Sequence, residues 1–243
     1  MTSNKELKEK ILSYLIHYPN CSFSELYNNN KDVQSNEFTY YLNKLIEEGI
    51  IQKNENKKYS LTIKGKHLES ELDGATGKKR KKPFVALLMV IRRNGKYLIY
   101  HRLKEPYYDF YGMSGAKLDF GEGVLEGAER ELLEETGLKG PGKIISIYNI
   151  KTYENKEALA HFTQFVVLFD NPNGELIKEG IEGTYEFVDK EVFVDKKQRN
   201  ILFPDTFLTL ENADSFNGNV SFYEMSIFVS NSRFTDFKYN KVF

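Results

Sequence analysis

Apolar residues at the front of the chain recur at helical spacing: Leu7, Ile11, Leu12 and Leu15 fall on one face. They predict a helix to about Ile16, with Ser3 or Asn4 as N-cap and Pro19–Asn20 as its stop. Ser22 or Ser24 caps a short second helix through Leu26 and Tyr27, and Asn28–Asn30 is a turn. Ser35 opens a third helix with the stripe Phe38, Tyr41, Leu42, Leu45 and Ile46, capped by Gly49. The period then changes. Residues 50–54 and 59–63, joined by the polar turn 55–58, predict a β-hairpin, and a last helix follows from about Lys64 to Leu72.

Composition shifts at residues 74–83, GATGKKRKKP. Gly74 and Gly77 loosen the chain, Pro83 stops any helix, and Lys78 to Lys82 are consecutive basic residues. This basic linker is either solvated or set against nucleic-acid phosphates. Beyond it the pattern is one of strands. Residues 84–91 are a continuous apolar run suited to a buried strand, Asn94-Gly95 predicts a hairpin turn, and Lys96 to His101 return as its second strand. Ile144 to Ile150, Phe162 to Phe169 and Thr184 to Val188 are further strands. Phe203-Pro204-Asp205 starts a helix through Leu210, and Val220 to Val229 is strand-like before an aromatic tail. The chain therefore reads as two modules, 1–73 and 84–243, joined by 74–83. Residues 213–243 form a C-terminal extension that either adds an edge strand or reaches over the front module.

Charge sharpens that division. Residues 1–82 hold 15 Lys/Arg against 11 Asp/Glu, and the rest hold 19 against 24. A basic front and an acidic back point to different partners. Cys21 is the only cysteine, so no internal disulfide and no cysteine-rich zinc site exists. The polar N-terminus lacks a signal-peptide pattern and no apolar run approaches the ~20 residues of a membrane span. The expectation is a soluble cytoplasmic protein with no membrane partner.

The chemistry concentrates in Tyr111 to Leu138, YGMSGAKLDFGEGVLEGAERELLEETGL. Glu131, Glu134 and Glu135 share one helical face, where like charges repel by roughly 0.2–0.5 kcal/mol per pair. A hard divalent cation reverses that sign, because Mg²⁺ takes carboxylate oxygens and substrate phosphates as ligands. Leu125, Ala128 and Leu132 form an apolar stripe beside this face, Gly137 stands at the C-cap, and Gly121 and Gly123 allow a tight loop before the helix. A plain acidic surface helix, with Arg130 pairing to Glu134, leaves the glycines and Glu122 unexplained.

This stretch resembles the signature of the Nudix hydrolases, G-x5-E-x7-R-E-U-x-E-E-x-G-U with U a bulky aliphatic. Glu122, Arg130, Glu131, Leu132, Glu134, Glu135, Gly137 and Leu138 fall in register, and Ala116 stands where the family has glycine. The resemblance covers about residues 84–212 and implies an α/β/α sandwich, hence an α+β chain. It implies hydrolysis of a nucleoside diphosphate linked to another moiety, with Mg²⁺ or Mn²⁺. It makes Glu131, Glu134 and Glu135 the metal ligands, with Glu122, Arg130, Glu134 and Glu135 as the catalytic set. Arg130 then orients carboxylates and Glu122 supports them. The general base differs within the family; Glu154 and Glu157 are candidates. Arg102, Lys117 and Tyr111 are candidate substrate contacts, with Arg92 and Arg93 near the expected phosphate side. Tyr107, Tyr108 and Phe110 either stack a base or pack the core.

The front module resembles a winged helix-turn-helix. That implies a third helix in the DNA major groove, with Ser35, Asn36, Glu37, Thr39, Tyr40, Asn43 and Lys44 facing bases or phosphates. Lys53, Lys57 and Lys58 on the wing then meet the backbone. The alternative is a protein-interaction module supporting a homodimer. Three readings follow: a pyrophosphohydrolase with a DNA-binding front; a regulator whose Nudix domain senses a nucleotide such as ADP-ribose; and a protein acting on capped RNA.

Overall fold

The computed structural model describes residues 4–69 and 81–243, which fall into two compact units, Met1–Lys81 and Lys82–Phe243. The predicted helix end beyond Glu69 and the basic residues Lys78 to Arg80 lie outside the described residues.

In the first unit the order is α1 (Asn4–His17), α2 (Phe23–Asn28), α3 (Ser35–Glu47), β1 (Ile51–Lys53), β2 (Tyr59–Leu61) and α4 (Ile63–Glu69). Ser22, not Ser24, is the N-cap of α2. Its hydroxyl accepts the Glu25 amide at 3.3 Å, and its own amide donates to the Glu25 carboxylate at 2.7 Å, closing a capping box. The apolar stripes converge as expected: Leu7, Ile11, Leu15, Leu26, Phe38, Leu42, Leu45 and Ile51 are buried together. Cys21 fills the same core. β1 and β2 pair antiparallel, Ile51 opposite Leu61, with the turn residue Lys57 at φ 58°.

The second unit contains β3 (Phe84–Arg93), β4 (Lys96–Arg102), β5 (Tyr111–Gly112), β6 (Ser114–Lys117), α5 (Val124–Thr136), β7 (Lys143–Glu154), β8 (Glu157–Asp170), β9 (Gly183–Val188), α6 (Lys190–Gln198), α7 (Thr206–Ser215), β10 (Ser221–Ser230) and β11 (Arg233–Lys241). One mixed sheet runs β11-β10-β7-β8-β3-β4-β5, with β6 also on β3 and β9 also on β4. β3 is its centre. Leu87, Met89 and Ile91 pack with Ala128 and Leu132 of α5, while Leu88 and Val90 belong to a second core with Phe193 of α6 and Leu208, Leu210 and Ala213 of α7. Both faces are covered, which is why β3 reads as an unbroken apolar run rather than an alternation. Helices on both faces of a sheet make three layers.

Two features differ from the sequence expectation, and a third selects between its two alternatives for the C-terminus. Leu125 is exposed, and α5 buries Gly127, Ala128 and Leu132 instead. A Cβ at Gly127 would come within 2.7 Å of both the Glu122 carboxylate and Leu118, so the helix turns its smallest residue toward the loop. α6 was not anticipated because, of its residues, only Phe193 is buried. The aromatic tail is β11, antiparallel to β10, and β10 in turn lies parallel to β7 with Tyr223 opposite Tyr148. Residues 221–241 are thus an edge hairpin. Among the described residues no helix is long and apolar enough to cross a membrane.

Candidate functional site

α5 starts after Gly123, whose amide donates to Glu126, and ends at Gly137 in the left-handed conformation, φ 72°. The loop before it turns at Gly121, φ 89°. Between these ends, Arg130 is the hub. Its Nε and Nη2 donate to the two oxygens of Glu122 at 2.7 and 2.9 Å, a bidentate fork. Its Nη1 donates to Glu131 at 2.8 Å and to Glu134 at 3.1 Å. Asp119 stands 3.8 Å from the same guanidinium. One cation thus holds carboxylates that would otherwise repel. The fork keeps the Glu122 carboxyl below the usual carboxylate range, and Glu122 with Glu131 raises Arg130. The predicted pairing of Arg130 with Glu134 or Glu131 is present, but the strongest contact is to Glu122.

Glu135 faces the other way. Ser114 of β6 and Tyr185 of β9 both donate to its Oε2, the tyrosine at 3.2 Å. Tyr185 stacks on Tyr100 at 5.3 Å. Burial pushes the Glu135 carboxyl up against the lowering effect of Ser114, and Glu131 and Glu182 add to the rise. Burial and Glu135 likewise push Tyr185 up. Neither Ser114 nor Tyr185 was anticipated, since nothing in their local sequence marks them; strand pairing brings them to α5. Ala116 sits in β6 opposite Leu87 and does not have the left-handed backbone that would strain an alanine.

The donor set suits a hard divalent cation. Glu131, Glu134 and Glu135 each commit one oxygen to the bonds above, and the second oxygen of each accepts no hydrogen bond among the described residues. They are not gathered into a ready ligand cluster, and no group of three or more His, Cys, Asp or Glu among the described residues is. Arg130 draws Glu131 and Glu134, while Ser114 and Tyr185 hold Glu135.

Beside β6 a cavity of about 420 Å³ opens, bounded by Gly115, Arg102, Tyr107, Phe162, Phe203 and Phe234, with further apolar side chains behind. Gly115 adjoins Ser114, so one short strand serves both the cavity and Glu135. Gly112 lets Phe203 and Thr206 approach: a Cβ there would meet Phe203 at 2.9 Å. Asp205 and Gln164 also line this space. In the sequence Phe203-Pro204-Asp205 reads as a helix start only, and nothing local marks the acid as buried.

The other expected contacts divide. Arg102 lines the cavity, but its guanidinium donates to the carbonyls of Pro106 at 2.6 Å and Glu105 at 3.2 Å, fixing the loop. Lys117 is exposed and lies 5.8 Å over Phe84. Tyr111 does not line the cavity; it stacks on His101 at 4.0 Å and has Lys196 4.1 Å over its ring. Of the aromatics, Tyr107 is on the wall, Phe110 is buried behind it and Tyr108 is exposed. Arg92 and Arg93 are not brought here: Arg92 forks onto Asp170 at 3.1 and 3.0 Å, and Arg93 lies over Phe187. Glu154 and Glu157 face each other at the turn end of the β7–β8 hairpin, where Glu154 accepts the Asn231 amide at 3.2 Å. In the first unit, Asn36, Tyr40, Asn43, Lys44, Lys57 and Lys58 are solvent-exposed. Thr39 is half-buried, its hydroxyl donating to the Ser35 carbonyl at 2.7 Å.

Comparison with known proteins adds the following. The model of the NUDIX domain matches residues 81–202. An ADP-ribose pyrophosphatase of Methanocaldococcus jannaschii is 30% identical over 94 residues, 39% of this chain and 54% of that protein, so the chain spans about half the length of the curated relative it matches. A MutT protein of Bacillus halodurans superposes with a TM-score of 0.52 at 16% identity, over 65% of this chain and 97% of that one, a likeness of fold alone. The NUDIX domain of Shewanella oneidensis NrtR, solved with ADP ribose, superposes more loosely, with a TM-score of 0.45 at 14% identity over 63% and 97% of the two chains.

Proposed function

Since the chain belongs to the NUDIX family through residues 81–202, we propose that it is a divalent-cation-dependent hydrolase that cleaves the phosphoanhydride of a nucleoside diphosphate linked to a second group. The observation that carries this reading is the Arg130 hub on α5, which concentrates Glu122, Glu131 and Glu134 beside Glu135 and within reach of the strand that lines the cavity.

A pyrophosphate repels an incoming nucleophile with its own charge. Glu131, Glu134 and Glu135 would hold Mg²⁺ or Mn²⁺, which when bound would supply the neutralising charge and lower the pKa of bound water. The chain's own residues do the rest. Arg130 sets the acidic face by its fork to Glu122 and keeps Glu131 and Glu134 from swinging apart. Ser114 and Tyr185 fix Glu135. Tyr107 and its aromatic neighbours exclude water from the organic part of the substrate, with Lys117 and Arg102 at the strands that bound the cavity. ADP-ribose is the first substrate to test, because a relative bears that activity in its name.

The test is turnover by purified protein with Mg²⁺ on a panel of ADP-ribose, NADH, dinucleoside polyphosphates, nucleotide sugars and nucleoside triphosphates. One class is expected to turn over. Chelation should abolish it, and Glu135→Gln should lower it by at least about 100-fold, the scale of losing a charge that stabilises the transition state. Absence of turnover across the panel would overturn the hydrolase reading.

The first unit is proposed as a winged helix-turn-helix that binds DNA. Its support is the division of α3: Phe38, Tyr41, Leu42 and Leu45 are buried, whereas Asn36, Tyr40, Asn43 and Lys44 face solvent, with Lys44 6.0 Å over Tyr40. Lys57 and Lys58 on the hairpin turn are exposed as well. If the reading holds, DNA affinity of the full chain falls with salt, and Lys44→Glu with Lys57→Glu reduces that slope by about 2, one per lost phosphate contact. A homodimer through this unit, without DNA affinity, is the opposing outcome, read by sedimentation. A regulator that senses nucleotide would show DNA affinity that changes with the hydrolase ligand, which requires a ligand binding two arrangements unequally.

A further inference from the structure

The cavity beside β6 carries more than aromatic walls. Three polar side chains line it from two elements: Gln164 from β8, and Asp205 and Thr206 from the entry and first turn of α7. All are at least nine-tenths buried, at 9%, 9% and 1% exposure. The Gln164 Oε1 and the Thr206 Oγ1 have no hydrogen-bond partner among the described residues. Burial pushes the Asp205 carboxyl up against the lowering effect of its own backbone amide, and it makes no ion pair among the described residues. Buried oxygens without partners are rare in folded proteins and each costs on the order of 1–3 kcal/mol. The Asp205 carboxylate and the Gln164 Oε1 are acceptors that a ligand donor would complete, while the Thr206 hydroxyl can accept or donate.

We infer that this cavity seats a nucleobase carrying an exocyclic amino group, whose two N–H bonds donate to the acceptors Asp205 and Gln164, with Thr206 beside them. The inference rests on the proposed function, since it names which nucleoside diphosphates that hydrolase takes. Rings of adenine, guanine or cytosine type satisfy it. Rings of hypoxanthine or uracil type place a carbonyl oxygen where an amino group would stand and offer only a ring N–H, so they satisfy one of the two acceptors and are disfavoured. The volume, about 420 Å³, falls in the range of small-molecule sites. Tyr107 stacks on Phe234 at 4.7 Å and meets Phe203 edge-on at 5.9 Å, so the three rings together give the cavity an aromatic wall against which a flat ring can lie. The ionisable groups around Asp205 do not supply the missing donors. Arg102 is spent on the Glu105 and Pro106 carbonyls, Tyr100 donates to the Glu182 carbonyl at 2.9 Å, and Tyr148 bonds Thr209 and Asn212. Tyr107 is the remaining one, its hydroxyl raised by burial.

The experiment is equilibrium binding of AMP and IMP to the full chain by calorimetry. The two differ at the amino-bearing edge and neither contains an anhydride, so the result is independent of turnover. AMP is expected to bind at least about tenfold more tightly than IMP, the worth of one hydrogen bond to a charged group. Asp205→Asn should shrink that preference to about threefold or less, and Gln164→Leu should weaken AMP while leaving IMP little changed. Equal binding of AMP and IMP, no binding of either, or a preference that survives Asp205→Asn would each overturn the inference. ADP-ribose turnover alongside equal AMP and IMP binding sinks the base assignment and leaves the hydrolase standing. A clear AMP preference without turnover on any substrate does the reverse.

Discussion

Replacing Arg130 with lysine is expected to lower kcat/KM by about 100-fold or more while the protein stays folded. Lysine keeps the positive charge, so a purely electrostatic role would survive the change. What it cannot keep is the fork. Arg130 makes four hydrogen bonds to three carboxylates, two of them parallel bonds to Glu122, and a single ammonium on a flexible stem cannot reproduce that geometry. Glu122 would be released first, since both of its bonds belong to the fork, and Glu131 and Glu134 would then repel across one helical turn. The guanidinium is partly exposed and α5 is anchored by Ala128 and Leu132, so circular dichroism and the thermal midpoint should change little. The pH response separates this role from simple packing. Glu122 is held below its ordinary range by Arg130, so its contribution is fully present above the unfolded carboxyl value, about 4.3, and is lost as pH falls through the lower folded value. In the lysine variant that loss should begin at higher pH. Activity within about threefold of wild type, with an unshifted acid limb, would show that charge alone suffices at this position.

The parts of the molecule that the sequence disclosed are those whose signal is local. Ser22 and Glu25 form a cap within four residues, and the turn Asn94-Gly95 sits between two strands it joins. The acidic face of α5 is legible because helical spacing alone puts Glu131, Glu134 and Glu135 together. The apolar run of β3 is legible because it is covered on both faces. What stayed hidden is the product of chain crossings. Ser114 and Tyr185 reach Glu135 only because β6 pairs with β3 and β9 with β4. Arg92 looked like a phosphate ligand until the parallel pairing of β3 and β8 set it against Asp170. β11 carries few buried residues, so it gave no alternation to read, and the backbone pairing with β10 defines it. Asp205 is the sharpest case, an acid whose meaning lies entirely in its burial.

That burial makes the second large prediction. Asp205→Asn is expected to stabilise the NUDIX unit at neutral pH, in a pattern set by the carboxyl. Burial pushes Asp205 up to about 6. In the unfolded chain it titrates near 3.9, so the folded state binds a proton more tightly between these values. Sign follows from linkage. A carboxyl raised on folding favours the native state below about 4, and that contribution is lost as pH rises through about 6. Above 6 the folded protein holds a buried carboxylate with no cation beside it, a penalty of about 3 kcal/mol for a shift of this size. An uncharged asparagine of the same shape removes the penalty. The gain should therefore be near zero at pH 4, appear between pH 4 and 6, and reach up to about 3 kcal/mol at pH 8, seen as a rise of several degrees in the melting transition of this unit. The same variant loses base discrimination, the exchange expected where a strained group serves a ligand. Melting curves at pH 4 and pH 8 decide it. Equal stability of the two proteins at pH 8, or a gain confined to pH 4, would mean that Asp205 has a partner in solution and is not an acceptor held open for a ligand.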